Sequence, residues 1–312
     1  MNDMTQAATG LSTPVDISRS DLADAVRSTA TLADLTISMW SGERTDRKLS
    51  EELKVTHNAV GHTGRYLKNL MAGCDARLKE VRAAFAAART AHYQLTLPWV
   101  SNPHADRAMG PRLLPNLLFE RYLEEMSRLK REATQKLQAF LHEYPSLVTQ
   151  AQQNLGGMAN PADYPDVAEI GNSFRLVFDF TPIPAANAFV NLPDSMIEKL
   201  GMALQKRQEH ALRCAQEDMW RQVKEKVGHM VERLAEPDTK FKSSTVENVR
   251  ELITLLPGFN CAGDTRVATV VSDIDRMLAG VDSKQLRDDD HTRVDVVNQA
   301  RAISNKLDQW GL

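Results

Sequence analysis

The densest set of potential ligands in this 312-residue chain is Asp288-Asp289-Asp290-His291. Carboxylates and an imidazole so close together could hold a divalent cation. The run also stands just before a helical pattern, where acids favour the positive end of a helix dipole. It is read as a helix start, and no metal is assigned. His57 with His62, and His104 with Asp106, lack the spacing of a regular metal-binding pair. There is no GxxxxGK[ST] and no GxGxxG, and Gly61-His-Thr-Gly64 is too short to cradle phosphates and has no lysine after it. No GxSxG is present, and no cysteine has a recognisable His/Asn context. The sequence therefore nominates no catalytic residue and no cofactor.

Two constellations suit binding instead. Arg65, Lys68, Lys79, Arg82 and Arg89 fall within about 120° of arc if one continuous helix carries them, at about 100° per residue. Asp75 is the only acid among them. A row of cations on a rigid helix could track phosphates with salt-dependent affinity; the alternative is a solvated face. Trp99, beside Pro98, and Arg112, followed by two leucines and Pro115, place a large aromatic and a cation on a long proline-rich connection. Such residues often anchor interfaces; the alternative is that Trp99 plugs the end of a helical bundle. Trp40, closing an apolar run, joins them as a partner-binding candidate.

The elements that must position these residues are mostly helical. Leu70, Cys74, Leu78, Val81, Phe85, Ala88 and His92 recur at steps of three and four, predicting a helix over 64–93. Leu118, Tyr122, Met126, Leu129, Ala133, Leu137 and Phe140 predict a second from 116 towards 144, with a turn or two more to 155. Pro193 suits the first turn of a third, reaching 234 with Met196, Leu200, Leu204, Ala211, Ala215, Met219, Val223, Val227, Met230 and Leu234 inward. Cys74, Cys214 and the methionines at 126, 196, 219 and 230 lie on these stripes and are read as core. Residues 35–40 and 173–180 read as strands that need each other to pair their backbones. A short helix is expected over 21–31, another starting at Ser50, and a loop over 95–115. Patterns at 246–256, 267–278 and 293–310 form a small helical module whose charge, from 243 onward, is eight Lys/Arg against eleven Asp/Glu.

The fold expected is mainly α: a long antiparallel helical bundle or coiled-coil hairpin, a small two-stranded β element, and the C-terminal helical module. The boundaries expected are a mobile tail at 1–18, the bundle at 19–236, a linker at 237–244 and the module at 245–312. A net charge of −3 excludes a bulk polycation, and three scattered cysteines exclude a disulfide framework. No secretory signal and no apolar run long enough for a membrane helix is visible. The expectation is a cytoplasmic protein with free thiols, no membrane association, and long helices that could also pair between chains.

Several short patterns occur together in order: Leu35-Thr-Ile-Ser-Met-Trp-Ser-Gly42 with Asp46 and Ser50, Leu97-Pro-Trp99, Gly110-Pro-Arg-Leu-Leu-Pro115, Asp163-Tyr-Pro165, and Phe174 through Pro184. Over residues 20–236 this order resembles an uncharacterised family of helical proteins from bacteriophages, prophages and integrative elements. Members are often encoded near a MoxR-type or cobaltochelatase-like ATPase, sometimes with recombination or single-strand-binding genes. The resemblance implies a bacterial host cell and a protein partner, and supplies no catalytic residues. The function expected is a non-enzymatic interaction protein, an adaptor or partner of an AAA-type ATPase. A nucleic-acid-binding accessory factor for phage replication or recombination, or a phage structural protein, are the alternatives.

Overall fold

The structure, a computed structural model, describes residues 26–61, 64–100, 110–185, 189, 191–236 and 243–312. The tail expected at 1–18, the first half of the helix expected at 21–31, much of the proline-rich loop and most of the linker lie outside these residues. The chain divides into two compact units, one of residues 32–97 and 110–181, the other of 1–31, 98–109 and 182–312. The three long helices therefore do not share one unit.

The first unit is built on β1 (Ala30–Ser38), β2 (Glu43–Asp46), α1 (Arg47–Thr56), β3 (Tyr66–Asn69), α2 (Ala76–Leu95), β4 (Leu97–Pro98), β5 (Arg112–Pro115), α3 (Phe119–Leu155), α4 (Val167–Ser173) and β6 (Arg175–Thr181). α2 and α3 run antiparallel: Arg77 meets Glu143 at 3.0 Å and His92 meets Tyr122 at 2.8 Å. Their apolar stripes, Leu78 to Leu95 and Tyr122 to Leu155, are buried, as the spacing required. The two expected strands do pair, antiparallel, with Leu35 opposite Phe178 and Ile37 opposite Leu176. Phe178 and Phe180 turn towards α3, where Tyr122 meets both and Phe119 meets Phe180 at 4.8 Å.

The sheet is larger than expected. β4 and β5, inside the segment read as a loop, add to it in the order β4-β5-β1-β6, and β2 and β3 form a separate two-stranded ribbon. The helix expected over 64–93 is also corrected: residues 66–69 are strand and the helix begins at Ala76. Gly73 is the reason. It takes φ +75°, outside the helical region, and a Cβ there would lie 2.7 Å from Asn154 Nδ2. That amide instead donates to Ala72 O at 2.8 Å.

The second unit holds α5 (Asp194–Ala235), α6 (Ser244–Phe259), α7 (Arg266–Leu278), α8 (Gln285–Asp288) and α9 (Asp290–Gln309). α5 packs on α6 and α9, and α7 closes against both of those. Its core runs through Val223, Val227 and Met230 of α5, Val249 and Leu256, Val270 and Ile274, and Ala300 and Leu307. Trp220 donates Nε1–H to Asp264 at 3.2 Å, and Asp264 also takes the Arg266 guanidinium. Asp289 caps α9 by accepting from His291 N at 3.0 Å, so the acidic run is a helix start. Met196 is corrected: it is 51% exposed, and the first buried residue of α5 is Gln208.

Candidate functional site

The ribbon β2–β3 and the helix α1 between its strands make a small module on the first unit. Asp46 starts the helix: its Oδ1 accepts from Leu49 N at 3.0 Å, which satisfies one of the free N–H groups of the first turn. Ser50 Oγ accepts from Tyr66 N at 2.9 Å, tying helix to ribbon. The register sets Arg44 opposite Lys68 and Asp46 opposite Tyr66. Gly42 permits the entry turn, with φ +68° and a Cβ position only 2.7 Å from Leu78 Cδ2 on α2.

Lys68 is the anchor. It is 4% exposed, and its ammonium reaches Asp163 at 2.5 Å, Met158 O at 3.0 Å and Asp46 at 3.4 Å. Arg44 completes the network, with Nε 3.3 Å from Asp163 and one terminal N donating to Ala162 O at 3.1 Å. The Asp163 contact holds the Lys68 pKa above its ordinary value, and the Leu49 amide, seconded by Lys68, holds Asp46 below its own. Both shifts fix the charged forms. Paired with each other, neither is poised to exchange a proton near neutral pH. Beside the network opens a cleft of about 760 Å³ lined by Arg44, Asp46, Arg47, Lys48, Lys68 and Asp163.

The rest of the module is unusually exposed. α1 has no buried residue, and Leu53, Val55, Val60 and Leu67 are 42%, 71%, 97% and 55% exposed. Single exposed apolar side chains are ordinary; here four of them fall within fifteen residues of one module, Leu53 and Val55 on α1, Val60 after it and Leu67 on β3.

A second polar cluster lies inside the unit. His92 Nδ1 and the Tyr122 hydroxyl are 2.8 Å apart, and Arg112 donates to Thr96 Oγ1 at 2.7 Å and Thr96 O at 2.9 Å. Burial, with Arg112 nearby, pushes His92 down to about 4, and burial raises Tyr122. At neutral pH the imidazole is neutral and the phenol protonated, so the pair is a fixed hydrogen bond. Burial likewise raises the thiols of Cys74 and, to about 11, of Cys261. Among the described residues no group of three or more His, Cys, Asp and Glu is arranged to hold a metal.

The residues nominated from the sequence are distributed differently from the expectation. Trp99 and Arg112 are each 8% exposed, so their side chains are committed to internal packing. Trp40 is half-buried against Tyr144, with ring centroids 5.9 Å apart. The cationic strip is broken, because no single helix carries it. Arg65 precedes β3, Lys68 is consumed by its ion pairs, and Lys79 is paired with Asp75 at 2.8 Å. Lys79, Arg82 and Arg89 still share one exposed face of α2. The helix expected from Ser50 is present as α1, starting three residues earlier, but the ribbon beside it was missed, although Asp46 three residues before Leu49, with alternation at 66–69, carried a signal. No family model, no characterised protein and no solved structure matches the chain. Among the described residues no helix is long and apolar enough to cross a membrane.

Proposed function

We propose that this is a non-enzymatic interaction protein whose working surface is the β2–α1–β3 module. The observation that carries the reading is α1: a ten-residue amphipathic helix with no buried residue, in a module whose four apolar side chains stand in solvent. A helix this short is marginal alone. Here a cap, a serine bridge and a buried ion network hold it rigid, so its surface is presented ready-made and little ordering is lost on binding. The resemblance to the phage and mobile-element family supplies the candidate partner, an AAA-type ATPase of the MoxR class in a bacterial cell, for which the protein acts as adaptor. Replacing Leu53 and Val55 by Asp should abolish co-purification with that ATPase and leave the far-ultraviolet circular dichroism unchanged. Full retention of the ATPase by this variant would sink the assignment.

Nucleic-acid binding is the second reading, favoured by the exposed face of α2. Among the described residues Arg82 and Arg89 make no ion pair there. Its affinity for single-stranded DNA should fall steeply with salt. Charge reversal at both arginines should remove it; binding indifferent to that reversal would eliminate this reading.

A further inference from the structure

β6 is an edge strand. It pairs with β1 on one side, and among the described residues no strand pairs with its other side. An open edge presents a row of backbone donors and acceptors ready for another strand. The face of β6 turned away from Tyr122 and Phe119 carries Arg175, Val177, Asp179 and Thr181, since side chains alternate along a strand. Arg175, Asp179 and Thr181 are exposed.

The charges on this face are arranged unfavourably within one chain. Asp179 stands directly opposite Asp34 of β1, two carboxylates on the same face of adjacent strands. Like charges so placed destabilise a sheet. Neither carboxylate forms an ion pair among the described residues, and Arg175, four residues from Asp179, is opposite Ser38. Edge charges usually repel stray strands. Here they have opposite signs and lie symmetrically about Val177, which makes the edge complementary to itself.

We propose that β6 pairs antiparallel with β6 of a second copy of this chain, on a two-fold axis through Val177. In this register Arg175 lies opposite Asp179 of the other copy, Leu176 opposite Phe178, and Val177 opposite Val177. Two inter-chain ion pairs form, and each incoming guanidinium sits beside an Asp34/Asp179 carboxylate pair. The neighbouring symmetric register, centred on Phe178, sets Arg175 against Thr181 and Val177 against Asp179, and compensates neither charge. The ribbon and α1 take no part in this pairing, so the inference does not depend on the adaptor reading.

The test uses the full chain and two readouts. Light scattering over a concentration series should show the mass rising from 34.8 kDa towards twice that value, since a five-residue edge pairing is a small interface. Arg175→Asp or Asp179→Arg alone should hold the protein at the monomer mass, and the double exchange Arg175→Asp/Asp179→Arg should restore the dimer. Oxidation of Val177→Cys should give a covalent dimer, whereas Thr181→Cys, whose two copies would lie about 26 Å apart along the strands, should not. A monomer at every concentration, or a dimer untouched by both single reversals, would overturn the proposal. So would efficient cross-linking through residue 181 without 177.

Discussion

Replacing Lys68 by Met removes the cation that ties the β2–α1–β3 module to residues 158–163. The Lys68 side chain is 5% exposed and that of Asp163 10%, and the two charged groups are 2.5 Å apart. Removing one partner of a buried ion pair typically costs about 3–5 kcal/mol, because the other charge is left uncompensated. Asp163 would keep Arg44 at 3.3 Å and Asn160 at 3.4 Å. The adjoining cleft also admits water, so the expected cost falls to about 2–3 kcal/mol. The loss is local to the module, and amide hydrogen exchange reads it directly. Amides of Glu43–Asp46 and Tyr66–Asn69 should exchange roughly 30- to 150-fold faster, at about 1.4 kcal/mol per factor of ten, while those of α6 and α7 keep their rates. The double variant Lys68→Met/Asp163→Leu should recover most of the protection, since no buried charge remains. The pH dependence has a fixed sign. Lys68 has a folded pKa above its reference 10.5, so its contribution is complete below that value and is lost as pH rises through the folded pKa. Asp46 is depressed below 3.8, so its contribution is present above that value and lost as pH falls through the folded pKa. Wild-type exchange rates in the ribbon of the Lys68→Met variant would refute the anchoring role.

His92 should make the first unit acid-sensitive. Its folded pKa of about 4 lies below the reference 6.5, so the unfolded chain binds the proton first, and stability falls as pH drops from 6.5 towards 4, by about 3 kcal/mol in total. His92→Phe should flatten that part of the profile in urea titrations at stepped pH. Gly42→Ala should destabilise by about 2 kcal/mol, combining the positive φ with the approach to Leu78. Gly61→Ala, with φ +92° and nothing within 4 Å, should show only the backbone part, about 1 kcal/mol; equal thermal shifts in the two variants would remove the packing argument. Val60→Asp should change stability by less than about 0.5 kcal/mol, because that side chain is 97% exposed, while weakening partner binding.

The long stripes were legible because burial alone decides them. Tyr122, Met126, Leu129, Ala133, Leu137 and Phe140 are all buried on α3, and no local feature competes with that period. The strand pair was legible because two β-rich runs each needed a partner for their backbones, although β1 also takes β5, from a segment read as loop, on its other side. The run around Lys68 misled because Leu70, Cys74 and Leu78 continue the helical period across Gly73, and period carries no information about φ. Lys68 looked like one cation in a row because its partners, Asp46 and Asp163, are 22 and 95 residues away. Met196 sits on the same stripe as Met219, yet full burial on α5 begins only at Gln208, and Leu200 and Leu204 before it are half-buried. The exposed faces of α1 and the cleft beside it depend on contacts that are absent, which a hydrophobic pattern does not encode.

The most direct test of the adaptor reading is a hydrogen-exchange footprint of the protein with and without its co-purified ATPase, after nuclease treatment. New protection should appear in residues 47–69, centred on α1 and β3, and should vanish in the Leu53→Asp/Val55→Asp variant. Protection confined to α2 around Arg82 and Arg89, present only when nucleic acid is retained, would contradict the account.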